Sequence, residues 1–135
     1  PVVALEKVPR QNVSKYGIVG GVQLDKKTWE IKNFVEKPKT EDAPSDLAAV
    51  GRYIITPEII NTLKKQKPGK DGEIRLADSF SSHLSAGKPI YGCQFEGKRY
   101  DCGDKLQFVI AQIEMGLEHP EMNEGLREYL KRFNQ

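Results

Sequence analysis

The sequence predicts an α/β fold in which strands and helices share one modest core. Three observations carry that expectation. Residues 17–36 read as a β-hairpin: Ile18, Gly20, Val22 and Leu24 alternate with Val19, Gly21 and Gln23, and a polar turn, Asp25-Lys26-Lys27-Thr28, precedes a second strand over 30–36 with Trp29 near the tip. Leu106, Val109, Ile110, Ile113 and Leu117 recur at the 3.6-residue period of a helix with one apolar face. The 135 residues are 38% hydrophobic and 30% charged, which suits a soluble globular chain of one domain. No apolar run approaches the roughly 18 residues of a membrane span, so membrane, collagen-like and disordered classes are excluded.

The remaining elements follow in order. Residues 1–8 are rich in Val, Ala and Leu and stop at Pro9, as a strand closed by a residue with no N–H would. Pro38 ends the second hairpin strand and, by steric clash, is expected to hold Lys37 extended; residues 38–46 then form a polar surface loop. Residues 47–55 read as a buried strand. Thr56, Pro57 and Glu58 start a helix, with threonine as cap and proline where a missing N–H is harmless, and Ile59, Ile60 and Leu63 form its stripe. Lysines in 64–70 suit a solvated helix end. A second helix is expected from Asp71 or Gly72 to Ser85, with Ile74, Ala77, Ser81 and Leu84 on one face and Gly87 as terminator. Residues 89–96 return as a strand, Pro120 ends the helix that begins at Lys105, and Leu126, Tyr129, Leu130 and Phe133 mark a last helix. Its stripe must cover the domain's own sheet or a second subunit.

Lys plus Arg number 21 against 19 Asp plus Glu, a formal charge of +2. So weak a field gives no reason to expect a nucleic-acid partner, and any anion site must be local. Cys93 and Cys102 form no CxxC pair and have no histidine cluster beside them, so both are expected as reduced, partly buried thiols and not as zinc ligands. Pro1 opens the chain without an initiating Met or a signal-peptide pattern, which reads as a piece cut from a longer chain. His83 and His119 lack a visible nucleophile or metal partner and are assigned to structure.

Two places could carry chemistry. Glu36 and Lys37 adjoin at a strand end, where neighbours point to opposite faces and each is free to meet something else. A carboxylate accepts from sugar hydroxyls, and an ammonium 4 Å from a phosphate gains about 4 kcal/mol at an effective dielectric near 20. Ordinary solvated charges are the competing reading. In Tyr100-Asp101-Cys102-Gly103-Asp104-Lys105, Asp104 stands where a helix N-cap belongs, with Gln107 three positions on. Asp101 has no such evident role; it could hold a hard cation such as Mg²⁺ or simply shape the turn.

Taken in order, Lys15-Tyr16-Gly17-Ile18-Val19, Phe34-Val35-Glu36-Lys37-Pro38-Lys39, Ala43-Pro44-Ser45, Val50-Gly51-Arg52-Tyr53, Gly72-Glu73-Ile74-Arg75-Leu76-Ala77-Asp78 and Tyr100-Asp101-Cys102-Gly103 resemble the bacterial UTP–glucose-1-phosphate uridylyltransferases over nearly the whole chain. The resemblance implies a Rossmann-like mixed sheet with flanking helices, here partial and more antiparallel. It also implies transfer of a uridylyl group from UTP to glucose 1-phosphate with Mg²⁺ as cofactor. On that resemblance Gly17 is the glycine whose backbone approaches the sugar, and Glu36 binds glucose hydroxyls. Lys37 holds the sugar's phosphate and counts as catalytic through that contact, and Asp101 is one of two metal-binding aspartates. The family's glycine-rich G-x-G-T-R loop and its other aspartate belong to an N-terminal half that this chain does not contain. Residues 1–135 are therefore expected to be the C-terminal, sugar-phosphate-binding portion of a cytoplasmic, homo-oligomeric nucleotidyltransferase with no nucleic-acid or membrane partner, inactive as an isolated fragment. The alternative is a non-catalytic oligomerisation or interaction module.

Overall fold

The computed structural model describes residues 1–69 and 72–133, and the chain divides into two compact units, Pro1–Glu96 and Gly97–Gln135. The first unit holds β1 (Val2–Lys7), a 3₁₀ turn (Arg10–Lys15), β2 (Gly17–Gln23), β3 (Thr28–Glu36), β4 (Leu47–Ile54), α1 (Pro57–Lys65), α2 (Leu76–Ser85) and β5 (Ile90–Gln94). The strands close into a ring in the order β1-β4-β2-β3-β5, with β5 returning to β1. β1 and β5 pair in parallel, and the other neighbours are antiparallel.

An α/β arrangement with a mixed sheet is as expected, but an open Rossmann-like sheet is not what forms. The sheet is small and closed, and β3 explains the closure: its residues Thr28 to Ile31 pair with β5 on one side while Trp29, Glu30 and Ile31 also pair with β2 on the other. Opposite Gly20 and Gly21 the register skips Lys32, so the extra residue bends β3, and bulges of this kind increase twist and help a sheet curl. Asp25 fixes the hairpin turn by accepting from the N–H groups of Lys27 and Thr28, both at 2.8 Å, and those bonds hold its carboxyl below the usual carboxylate range.

Val3, Leu5, Val19, Ile31, Leu47, Ile59, Phe80 and Ile90 fill the core together with Phe34. Each such side chain contributes about 1.5–3 kcal/mol on burial. Phe80 of α2 is fully buried, its ring centroid 5.6 Å from Phe34 and 5.5 Å from Tyr53. A second cluster, Val8, Val13, Ile18, Ala43 and Ala48, packs beneath the loop over 38–46.

Several local expectations change. α2 begins at Leu76, so Ile74 lies outside it and is exposed; the expected start at Asp71, and Lys70, lie outside the described residues. Ala77 and Leu84 pack against the core as expected, but the buried residues of α2 are Ser79, Phe80 and His83, because Phe80 reaches the sheet. Thr56 takes the N-cap position of α1, yet its side chain makes no capping bond. β4 is buried only over its first half; Leu47 to Ala49 pair with β2, whereas Tyr53 and Ile54 pair with β1 alone and are exposed. Both cysteines are free as expected but exposed, Cys93 because it alternates outward beside buried Gly92 on β5.

The second unit contains α3 (Lys105–Glu118) and α4 (Asn123–Lys131). Gly116 lets the two helices approach: a Cβ there would lie 2.8 Å from Leu126 Cδ2. His119 caps α3 and its Nδ1 accepts from the Glu121 N–H at 3.3 Å. Tyr129 and Phe133 make an edge-to-face contact at 5.2 Å while both stay exposed. Among the described residues no helix is long and apolar enough to cross a membrane.

Candidate functional site

Gly17, the first residue of β2, pairs with Glu36, the last of β3, and so fixes where the strand-end carboxylate stands. Beside this pair a cavity of about 340 Å³ is lined by Gly17, Glu36, Lys37, Tyr53, Glu73 and Arg75, with Phe34, Ala49, Leu76 and Ala77 completing the wall. Three of the four residues singled out from sequence therefore meet in one place. A larger cavity, about 430 Å³ beside α1, contains none of them.

Lys37 is not extended. Its φ is +45°, alone in the left-handed region among the described non-glycine residues, although the following proline disfavours helical conformations. Tertiary contacts override the local preference. The Lys37 N–H donates to the Tyr16 carbonyl at 3.0 Å, while the buried Pro38 and Ala43 draw the next residues inward. The turn also overturns the alternation expected of a strand: Glu36 and Lys37 line the same cavity instead of opposite faces.

The wall is close-packed around Gly17. A Cβ at that position would stand 2.7 Å from Phe34 Cε1 and 2.9 Å from Glu36 Oε2, so any side chain would displace the ring or the carboxylate. Tyr53 rests on Phe80, and burial, reinforced by the Glu36 charge, pushes its phenol above the usual range. The hydroxyl stays protonated and able to donate. Arg10 secures the loop that follows Lys37, donating to the carbonyls of Thr40, Ala43 and Ser45, each at 2.9 Å. Ser45 accepts from the Leu47 N–H at 2.8 Å and bonds back to the Val19 carbonyl.

Arg75 enters from the N-cap of α2, with Glu73 Oε2 3.4 Å from its Nε. Its backbone is fixed from behind: Gln66 Nε2 donates to the Arg75 carbonyl at 3.1 Å, and the buried Ser79 hydroxyl donates to Gln66 Oε1. Tyr53 and Arg75 stand inside motifs visible in the sequence but received no role there, since nothing local shows that β4 and the start of α2 converge. Arg10 and Phe80 gave no sequence signal at all.

Asp101 belongs to the second unit. Its Oδ1 accepts from the Gly103 N–H at 3.0 Å and its carbonyl from the Asp104 N–H at 3.0 Å, so it does have a structural role in the turn. Asp104 caps α3 as expected, accepting from the Gln107 N–H at 2.9 Å. Upstream, the Tyr100 hydroxyl and Lys98 ammonium both bond Glu114 of α3. These bonds hold the Glu114 carboxyl below its ordinary range and the Lys98 ammonium above its own. Tyr100 and Asp104 thus anchor the Asp101 turn at both ends.

Asp101 offers the hard oxygen chemistry Mg²⁺ takes, but Mg²⁺ is bound through one or two carboxylates plus phosphate oxygens and water. Among the described residues no group of three or more His, Cys, Asp or Glu could hold a metal ion. One carboxylate with an oxygen already engaged is a share of a site and does not make one alone.

The closed sheet and the start of α2 thus bring two carboxylates, Glu36 and Glu73, and two cations, Lys37 and Arg75, around one small cavity. The chain belongs to the nucleotidyl transferase family, which it matches over residues 2–115. It is 42% identical over 129 residues to a UTP–glucose-1-phosphate uridylyltransferase of Streptococcus pyogenes, covering 95% of this chain and 42% of that protein. A UDP-glucose pyrophosphorylase solved in complex with UDP-glucose superposes with a TM-score of 0.74 at 41% identity, covering 97% of this chain and 44% of the other. A UTP-bound UGPase from Acinetobacter baumannii gives 0.80 at 30% identity, covering 96% and 44%. The chain spans less than half the length of these relatives.

Proposed function

We propose that the chain is the C-terminal, sugar-phosphate half of a UTP–glucose-1-phosphate uridylyltransferase of the bacterial kind. In the parent, a phosphate oxygen of glucose 1-phosphate attacks the α-phosphorus of UTP, a new P–O bond forms and pyrophosphate leaves. The observation that carries the reading is the convergence of Gly17, Glu36 and Lys37 on one cavity.

Each residue has a part its chemistry suits. Gly17 leaves room for the sugar, Glu36 accepts from glucose hydroxyls, and Lys37 neutralises and orients the attacking phosphate, which is where phosphoryl-type transfer gains most. Mg²⁺, when bound, neutralises phosphate charge, and Asp101 is the residue of this chain that would hold it. The parent is read as cytoplasmic and homo-oligomeric, the latter on the exposed Tyr129 of α4 and Phe133 just beyond that helix. Without a glycine-rich nucleotide loop the 135-residue chain holds no triphosphate in line and makes no UDP-glucose.

Steady-state kinetics of the full-length parent test this. Lys37→Ala should raise KM for glucose 1-phosphate more than KM for UTP, and Glu36→Gln should blur selection among sugar phosphates. Equal impairment toward both substrates, or none, refutes the assignment.

A further inference from the structure

We propose that Arg75 is a second phosphate-binding cation of this site, paired with Glu73 and exchanging that partner for a sugar phosphate. The inference rests on the sugar-phosphate reading of the cavity and adds a residue and a counter-ion exchange to it.

Lys37 and Arg75 are the cations that line the cavity among the described residues. They come from different elements, Lys37 from the end of β3 and Arg75 from the start of α2. A phosphate monoester carries close to two negative charges, so one ammonium leaves it incompletely neutralised. Arg supplies what Lys does not, a planar fork that can engage two phosphate oxygens together.

The Glu73 contact is one that the guanidinium must exchange to meet a phosphate. The two side chains meet through Nε and Oε2 at 3.4 Å, and they remain 41% and 70% exposed respectively. Exposed pairs of this kind are weak, whereas a charge-assisted contact to a phosphate dianion is markedly stronger. The dianion therefore displaces the Glu73 carboxylate from Arg75 Nε. The Gln66–Ser79 link behind the Arg75 carbonyl keeps the backbone in place during the exchange, so the side chain alone moves.

The sequence places this contact within one short segment, Glu73-Ile74-Arg75, whose central residue is exposed and outside α2. Neither residue of the pair is among the buried core residues. Substitution of either therefore tests binding without unfolding the unit, and far-ultraviolet circular dichroism of each variant checks that.

The experiment titrates glucose 1-phosphate into the 135-residue chain at low salt, followed by heteronuclear NMR shifts, with glucose as the uncharged control. Arg75→Gln should weaken binding of glucose 1-phosphate by about tenfold, Arg75→Lys should recover part of the loss, and neither should alter the response to glucose. Glu73→Gln should tighten binding a few-fold by removing the competitor. Lys37→Ala separates this inference from the reading beneath it. If Lys37→Ala weakens binding and Arg75→Gln does not, the second cation is refuted and the site stands. Should Lys37→Ala bind as well as the unaltered chain, or the unaltered chain show no saturable response, the sugar-phosphate reading falls and this inference with it. Weaker binding by Glu73→Gln refutes the exchange, since Glu73 would then be a ligand of the sugar.

Discussion

Lys37 offers a test in which stability and binding move in opposite directions. At φ +45° the residue carries the cost of a left-handed conformation, on the order of 1–2 kcal/mol for an L-residue with a Cβ. Lys37→Ala removes the ammonium and leaves that cost. Lys37→Gly removes both, at the expense of about 0.5–1 kcal/mol of extra unfolded-state entropy. Because the side chain is lost in both variants, its own contribution cancels in the comparison. Lys37→Gly should be the more stable by about 0.5–1 kcal/mol, equivalent to about 0.3–0.5 M in urea midpoint at an m-value near 2 kcal/mol/M.

Trp29 makes the measurement clean. It is the sole tryptophan, lies on β3 and packs against the core of the first unit, so urea unfolding followed by its fluorescence reports the unit that carries the site. The two variants should lose glucose 1-phosphate binding equally while differing in midpoint. If Lys37→Gly is less stable than Lys37→Ala, the left-handed turn is not present in solution, and the account of how Glu36 and Lys37 come to share a cavity fails.

Three further outcomes follow from the same geometry. Gly17→Ala should destabilise the first unit by about 1–3 kcal/mol, since its methyl group meets Phe34 and Glu36 inside 3 Å; an unchanged Trp29 midpoint refutes the close packing. Burial, aided by nearby Lys88, pushes His83 below its ordinary 6.5. As pH falls through that value the unfolded chain takes up the proton first, so stability is fully present above about 6.5 and declines below it. Urea midpoints at pH 7.5 and 5.5 should show that loss reduced in His83→Gln, and an equal loss would refute it. Asp104→Ala should cost the start of α3 about 1 kcal/mol while Asp104→Asn costs little, read as amide exchange in its first turn. In the parent it should be Asp101→Asn that raises the Mg²⁺ requirement, and a larger shift from Asp104→Asn would overturn that distinction.

What was legible in the sequence was local. The hairpin turn at Asp25, the Asp104 cap and the period of α3 each depend on residues within a few positions of one another, and each appears where its pattern places it. Closure of the sheet was not legible, because it depends on Thr28 to Ile31 pairing with a strand some sixty residues later. The start of α2 was set by Phe80 finding Phe34 and Tyr53 across the core, which propensity does not encode.

The same division explains the error at Lys37. Steric preference before a proline is a rule about one dipeptide, and here it is opposed by the Tyr16 carbonyl, by Arg10 reaching three carbonyls 30 to 35 residues ahead, and by burial of Ala43. Several weak long-range contacts outweigh one local preference of about a kilocalorie. Among the described residues Lys37 is the lysine that lines this cavity, and the turn brings it to the same cavity as Glu36, which ordinary strand geometry would send to the other face. On the proposed sugar-phosphate reading, glycine would relieve the strain and preserve the turn but remove the charge that binds the phosphate.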